Sequence, residues 1–192
     1  MNFLEERILK DGVVRSCTDL NVRGFLRNQL DTNLIERIGR EFRTRFADKQ
    51  ITKVMTLESA GIAIAYATAK EFGVPLVIAR KNRAADESTD YVAEIMDEAE
   101  RIVSRVSIDK AFLSSQDHVL VVDDILAYGS TLQGLISIVD SAEATVEGLG
   151  IVIEKGFQEG GHRIRNLGYQ LASIAIIESM DRSSCRDTLV SD

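Results

Sequence analysis

Short apolar runs at residues 51–57, 74–79, 119–122, 149–153 and 171–177 are separated by stretches whose apolar residues recur at helical spacing. Runs with little polar alternation suit strands buried on both faces. Strands that alternate with helices call for a mostly parallel sheet covered on either side, which is the α/β class. The stretch after the first run carries Ile62, Ala65, Tyr66 and Ala69 on one face and closes at Gly73, and the stretch after the third carries Leu132, Leu135, Ile136 and Val139. Pro75, the only proline, stands near the first position of its run, where a missing N–H disturbs a strand least. Two further helices are expected before the first strand. One holds Phe3, Leu4 and Ile8 ahead of Gly12, and the other is capped by Asp31 or Thr32 and turns Leu34, Ile35, Ile38, Phe42 and Phe46 inward.

The chain has 192 residues, 45% of them hydrophobic, which is enough for one good-sized core, so a single domain over residues 1–192 is expected. No run approaches the roughly 18 uninterrupted apolar residues that a membrane span needs. Acids follow Met1 where a secretory signal would place basic residues, so a cytoplasmic protein is expected. Cys17 and Cys185 lie near opposite ends with no metal-ligand spacing around them, and reduced thiols are the default. A net charge of -7 disfavours nucleic acid, which is bound through clustered Lys and Arg. A small anion remains open, because a few amides and one or two cations can hold a phosphate on an acidic protein. Residues 83–117 form a long polar insertion: 91–103 has a helix-like composition, while 102–112 alternates like a hairpin strand. Pattern alone does not separate these readings, and an insertion of this kind is either disordered or a functional lid.

In such a sheet the ligand lies beyond the carboxyl ends of the strands. The loops that matter are therefore 58–61, the residues after Ala79, 123–131 and 154–156. Asp123 and Asp124 stand together at the end of a buried run, where like charges raise each other's pKa unless a ligand uses them. Hydroxyls of a sugar would use them. Gly129, Ser130 and Thr131 then open a helix, supplying free amides, two hydroxyls and the positive end of a helix dipole, a cradle for a phosphate. No Gly-Lys-Ser or Gly-Lys-Thr is present, so a phosphorylated ribose fits better than a nucleotide polyphosphate.

The run Val119-Leu120-Val121-Val122-Asp123-Asp124-Ile125-Leu126-Ala127-Tyr128-Gly129-Ser130-Thr131 resembles the phosphoribosyl pyrophosphate signature of type I phosphoribosyltransferases. Tyr128 departs from it, since that family has a small or amide residue there. Gly12-Val13-Val14, Phe25-Leu26, Gln29-Leu30-Asp31, Ile51-Thr52-Lys53, Glu58-Ser59-Ala60-Gly61-Ile62-Ala63, Ala79-Arg80-Lys81, Asp117-His118-Val119-Leu120 and Gly150-Ile151-Val152-Ile153-Glu154-Lys155 are similar to the xanthine branch of Gram-positive bacteria. The resemblance covers positions from about 10 to 180. It implies a single-domain type I fold, with the base hood and N-terminal helices in residues 1–50 and the lid in 83–117.

The same resemblance implies roles for individual residues. Asp123 and Asp124 bind the ribose hydroxyls and stabilise the oxocarbenium-like carbon, and Ala127, Tyr128, Gly129, Ser130 and Thr131 hold the 5-phosphate. Ser59, Ala60, Gly61, Arg80 and Lys81 meet the pyrophosphate, while Leu20, Arg27 and Lys155 contact the purine base. Arg27 is a second departure, standing where the xanthine enzymes carry a small polar residue. It has only donors to offer a base, or it points to solvent. Mg2+ is expected to arrive with phosphoribosyl pyrophosphate rather than in a protein cage, so no protein metal site is expected, and a homodimer is implied. A guanine or hypoxanthine phosphoribosyltransferase, and a purine regulator that senses phosphoribosyl pyrophosphate, are the alternatives. His118 and His162 are given no role.

Overall fold

A computed structural model describes residues 1–81, 84–98, 101–180 and 189–190. Cys185, residues 82–83 and residues 99–100 of the insertion lie outside the described residues. In chain order the elements are α1 (Phe3–Asp11), β1 (Val13–Val14), β2 (Leu20–Asn21), α2 (Thr32–Arg45), β3 (Lys53–Leu57), α3 (Ile62–Phe72), β4 (Leu76–Lys81), β5 (Asp90–Asp97) and β6 (Ile102–Asp109). After a single 3-10 turn at Lys110–Phe112 come β7 (His118–Leu126), α4 (Ser130–Ser141), β8 (Thr145–Lys155), α5 (Gly160–Asn166), β9 (Leu171–Ile177) and β10 (Leu189–Val190).

The main sheet runs in the order β10-β9-β8-β7-β3-β4-β6-β5. From β9 to β4 every neighbour is parallel, and β10 and the β5–β6 hairpin add antiparallel edges. Strand alternation sorts the core into two layers. Val54, Leu120, Val122 and Val152 face a cluster built from α1, α2, α3 and the 20–26 segment, while Met55, Val119, Val121 and Ile151 face α4. Phe42 of α2 and Phe46, which follows its last residue, are fully buried, and each lies over a glycine of β8. A Cβ on Gly148 would come within 2.3 Å of the Phe46 ring, and one on Gly150 within 3.0 Å of Phe42. Burying each ring contributes on the order of 2–3 kcal/mol, and the glycines are what lets the helix come down that far.

The ambiguous insertion is a hairpin, with Asp90 to Asp97 paired in register against Asp109 to Ile102. Its inner half is core: Ala93, Ile95, Val106 and Ile108 are buried with α4. Gly134 of α4 admits Ile95, whose Cγ1 would lie 2.4 Å from a Cβ there. The N-terminal region adds a two-residue hairpin, β1–β2, and a turn in which Leu26 bridges Leu30. Asn2 caps α1, and its Nδ2 donates to the Ile174 carbonyl at 2.7 Å, tying the start of the chain to β9. No described helix is long and apolar enough to cross a membrane.

Candidate active site

Pairing between β7 and β8 continues through Ile125 and Leu126, so Asp123 and Asp124 lie within β7, two rungs inside its end. The sequence places them at the mouth of the strand. The structure moves them inward because Ile125 and Leu126 still find partners in Ile153 and Glu154. Both acids are buried. The Asp124 amide donates to Asp123 Oδ1 at 2.9 Å, and Arg27 Nε donates to Asp124 Oδ2 at 2.6 Å. Burial, and then the neighbouring Asp124, push the Asp123 carboxyl up to about 8, against the opposing pull of its own hydrogen bond, Arg27 and Lys81. Burial and the neighbouring acid thus work against the charged form of Asp123, and Arg27 is the cation hydrogen-bonded to the pair.

Beyond the acids the chain turns through Ala127 to Gly129 into α4. Gly129 has φ 91°, a left-handed conformation that a side chain would strain, and a Cβ there would sit 3.3 Å from the Gly160 Cα. No side chain caps α4, so its first amides are free to meet an anion. Gly160 donates its amide to the Ala127 carbonyl at 3.0 Å, which holds the loop against the start of α5. A hollow of about 460 Å³ is lined by residues 127–131, Lys81 and the outer part of the β5–β6 hairpin. A second hollow of about 630 Å³ is lined by Arg27, residues 58–61 and both acids. The two share Lys81, Asp123, Ile125 and Thr131, so they form one trough.

The 58–61 turn leans directly on the acids: a Cβ on Gly61 would meet Thr56 Oγ1 at 2.2 Å and Asp123 Oδ1 at 3.3 Å. Glu58 accepts from Arg80 NH1 at 2.8 Å and from the Lys81 amide at 2.7 Å, and the Arg80 guanidinium holds its carboxyl below the usual range. Successive residues of a strand point to opposite faces. Lys81 accordingly enters the trough, while Arg80 lines a different hollow with Pro75, Ile108 and Phe112. Of the two cations that the sequence assigns to one pyrophosphate, the structure brings only Lys81 into the trough.

On the other side of the acids, Lys155 ends β8 and donates from Nζ to the Thr18 carbonyl at 2.6 Å, under the β1–β2 hairpin. Burial lowers its pKa, Asp19 opposes that and Arg27 adds to it, so these charges are neighbours. Leu20 is buried in β2 and packs into the core. Arg27 lies against Asp124, at the boundary between the Lys155 side and the trough.

A sequence model described as the phosphoribosyl transferase domain matches residues 27–177. A xanthine phosphoribosyltransferase of Ligilactobacillus salivarius is 44% identical over 182 residues, covering 94% of this chain and 95% of the relative. The chain belongs to the phosphoribosyltransferase family, in its xanthine branch. A xanthine phosphoribosyltransferase of Oceanobacillus iheyensis is 42% identical over 188 residues, covering 97% of this chain and 96% of the relative. Among solved structures, the adenine phosphoribosyltransferase of Trypanosoma brucei superposes with a TM-score of 0.77 at 18% identity, covering 97% of this chain and 85% of that one. At that identity the likeness is one of fold, the type I phosphoribosyltransferase fold.

Sequence reasoning missed one part of this phosphoribosyltransferase's site. Glu154 is buried beside Lys155, where its carboxylate accepts from Arg165 NH1 at 2.6 Å, from Arg165 NH2 at 2.9 Å and from the Ser173 hydroxyl. Gly161 makes room for it, since a Cβ there would strike Glu154 Oε1 at 1.9 Å. The group fixes α5 on β8 and β9, and through Gly160 it steadies the loop at Ala127. The paired glycines 160–161 were the available signal.

Proposed function

We propose that this phosphoribosyltransferase carries the 5-phosphoribosyl group from phosphoribosyl pyrophosphate to N9 of xanthine, giving xanthosine 5'-monophosphate and pyrophosphate in purine salvage. What carries the reading is the single trough in which a buried acid pair, an uncapped helix start and Lys81 converge, with Lys155 on its far side. The resemblance to enzymes named for xanthine supplies the base.

In the reaction the C1–O bond to pyrophosphate breaks, the N9–C1 bond forms and N9 gives up its proton. Asp124 and Asp123 are suited to accept from the ribose hydroxyls and to place negative potential near C1 as it becomes positive. The α4 amides with Ser130 and Thr131 suit the 5-phosphate, and the 59–61 turn with Lys81 suits the pyrophosphate. Lys155 suits an oxygen of the base, aligned under Leu20 and the hood. Among the described residues no group of three or more His, Cys, Asp or Glu is arranged to hold a metal. Magnesium, which favours phosphate oxygens and one or two carboxylates, fits a site where the acid pair faces the pyrophosphate, and it would neutralise the leaving group. A cytoplasmic homodimer belongs to the same reading, and sedimentation of the purified protein tests the dimer.

The decisive assay supplies phosphoribosyl pyrophosphate, Mg2+ and each purine in turn. Nucleotide and pyrophosphate should form, with the highest kcat/KM for xanthine and no product from adenine. A higher value for guanine or hypoxanthine would overturn the base, and no product from any purine would overturn the activity.

A further inference from the structure

Arg27 stands at the joint of the site in an unusual way. Its main chain is fixed: the Phe25 and Leu26 amides donate to the Val22 carbonyl at 3.2 and 3.0 Å, Asn28 donates to Arg23 at 2.9 Å, and Phe25 and Leu26 are buried. Its side chain, by contrast, is 41% exposed. It holds the nearly inaccessible Asp124 through Nε alone. The terminal guanidinium nitrogens make no hydrogen bond among the described residues. The atom it occupies, Asp124 Oδ2, is one that the ribose hydroxyls need under the reading above.

We propose that Arg27 couples the two halves of the site. It bridges Asp124 while the ribose subsite is empty, and it is released by the incoming ribose to act with Lys155 on the oxygens of the base. This rests on Asp124 being a ribose-binding acid. A ribose hydroxyl and the Arg27 guanidinium cannot both donate to the same lone pair of Asp124 Oδ2, so a hydroxyl that takes this acceptor frees a planar fork of donors. The anchored main chain keeps that fork beside Asp124, at the edge of the trough. The influence of Arg27 on Lys155 shows that the two cations already share a neighbourhood. Two cations side by side favour a base rich in oxygens and readily ionised over one presenting an amino group. A ribose-filled site should therefore bind xanthine better than an empty one, the sign of a positive coupling.

The test measures xanthine binding by calorimetry with and without ribose 5-phosphate, which fills the sugar and phosphate subsites but cannot react. In the wild-type protein ribose 5-phosphate should tighten xanthine binding by roughly five- to twentyfold. In Arg27→Gln, which cannot make the charged bridge, the coupling should fall to about a third of that or less, whereas Arg27→Lys should keep more of it than Gln does. Ligand-free melting of each variant checks that it is folded, and the exposed side chain favours that. Equal coupling in wild type and Arg27→Gln, or binding of both ligands without coupling, would overturn the proposal and leave the activity standing. Failure of the wild-type protein to bind either ligand would overturn both.

Discussion

At the scale of single residues, the acid pair joins two demands that conflict in the empty protein. Asp123 is buried against Asp124, and the Asp124 amide, Arg27 and Lys81 oppose the resulting rise in its pKa. Replacing both acids with Asn should lower kcat/KM by about 10³-fold or more, because the groups act where charge develops. Ligand-free melting at pH 7 to 8 should not fall, since a like-charge contact is relieved. Near wild-type turnover in that double variant would remove the acids from the ribose site. Lys155→Ala is a more selective change. It takes away a half-buried donor, so xanthine should lose about 10- to 100-fold in kcat/KM and hypoxanthine less, narrowing the preference between bases. An equal loss for every base would make Lys155 a prop for the 15–19 loop rather than a reader of the purine.

At the scale of elements, the β5–β6 hairpin divides into two parts. Ala93, Ile95, Val106 and Ile108 are buried on α4, while Met96, Ile102 and Val103 near the tip are exposed and Met96 and Ile102 line the trough. Amides near the tip should exchange quickly in the free protein and slow when ribose 5-phosphate and base bind, while those of the inner half should stay slow throughout. Tip exchange unaffected by ligands would rule the hairpin out as a lid. How far the sequence was legible follows the same division between local and distant. The strands β3, β4, β8 and β9, helices α3 and α4, and the 123–131 run could be read because each is one contiguous pattern. The hairpin resisted because Glu, Met and Ala in β5 favour helix locally, and only pairing with β6 and packing on α4 make it a strand. The Arg27–Asp124 pair spans 97 residues, and the split between Arg80 and Lys81 depends on which face of β4 each leaves. The pair has no local signature, and the split follows from strand alternation only once β4 is known to run through Lys81.

At the scale of the molecule, opposed titrations shape stability. Asp123 has a raised value, so its share of stability is complete below the unfolded carboxylate range and is lost as pH climbs toward 8. Asp31, Glu58 and Asp117 are lowered, so their share is present above that range and is lost as pH falls. The ligand-free protein should therefore melt highest on the acid side of neutrality, at roughly pH 5 to 6, and Asp123→Asn should flatten the decline above it. Thermal scans across pH 4 to 8.5 test this, and an identical alkaline decline in both proteins would contradict it. The ties across the chain carry one more consequence. Asn2 reaches Ile174 and Thr18 meets Lys155, so the segments made first at the ribosome wait for partners made much later. Long-range contacts of this kind close late. A nascent chain halted after α4 would already possess the acids and the 127–131 loop, but its N-terminal segment would have no Lys155 or Ile174 to settle on. Purine selectivity would be the last property the growing polypeptide acquires.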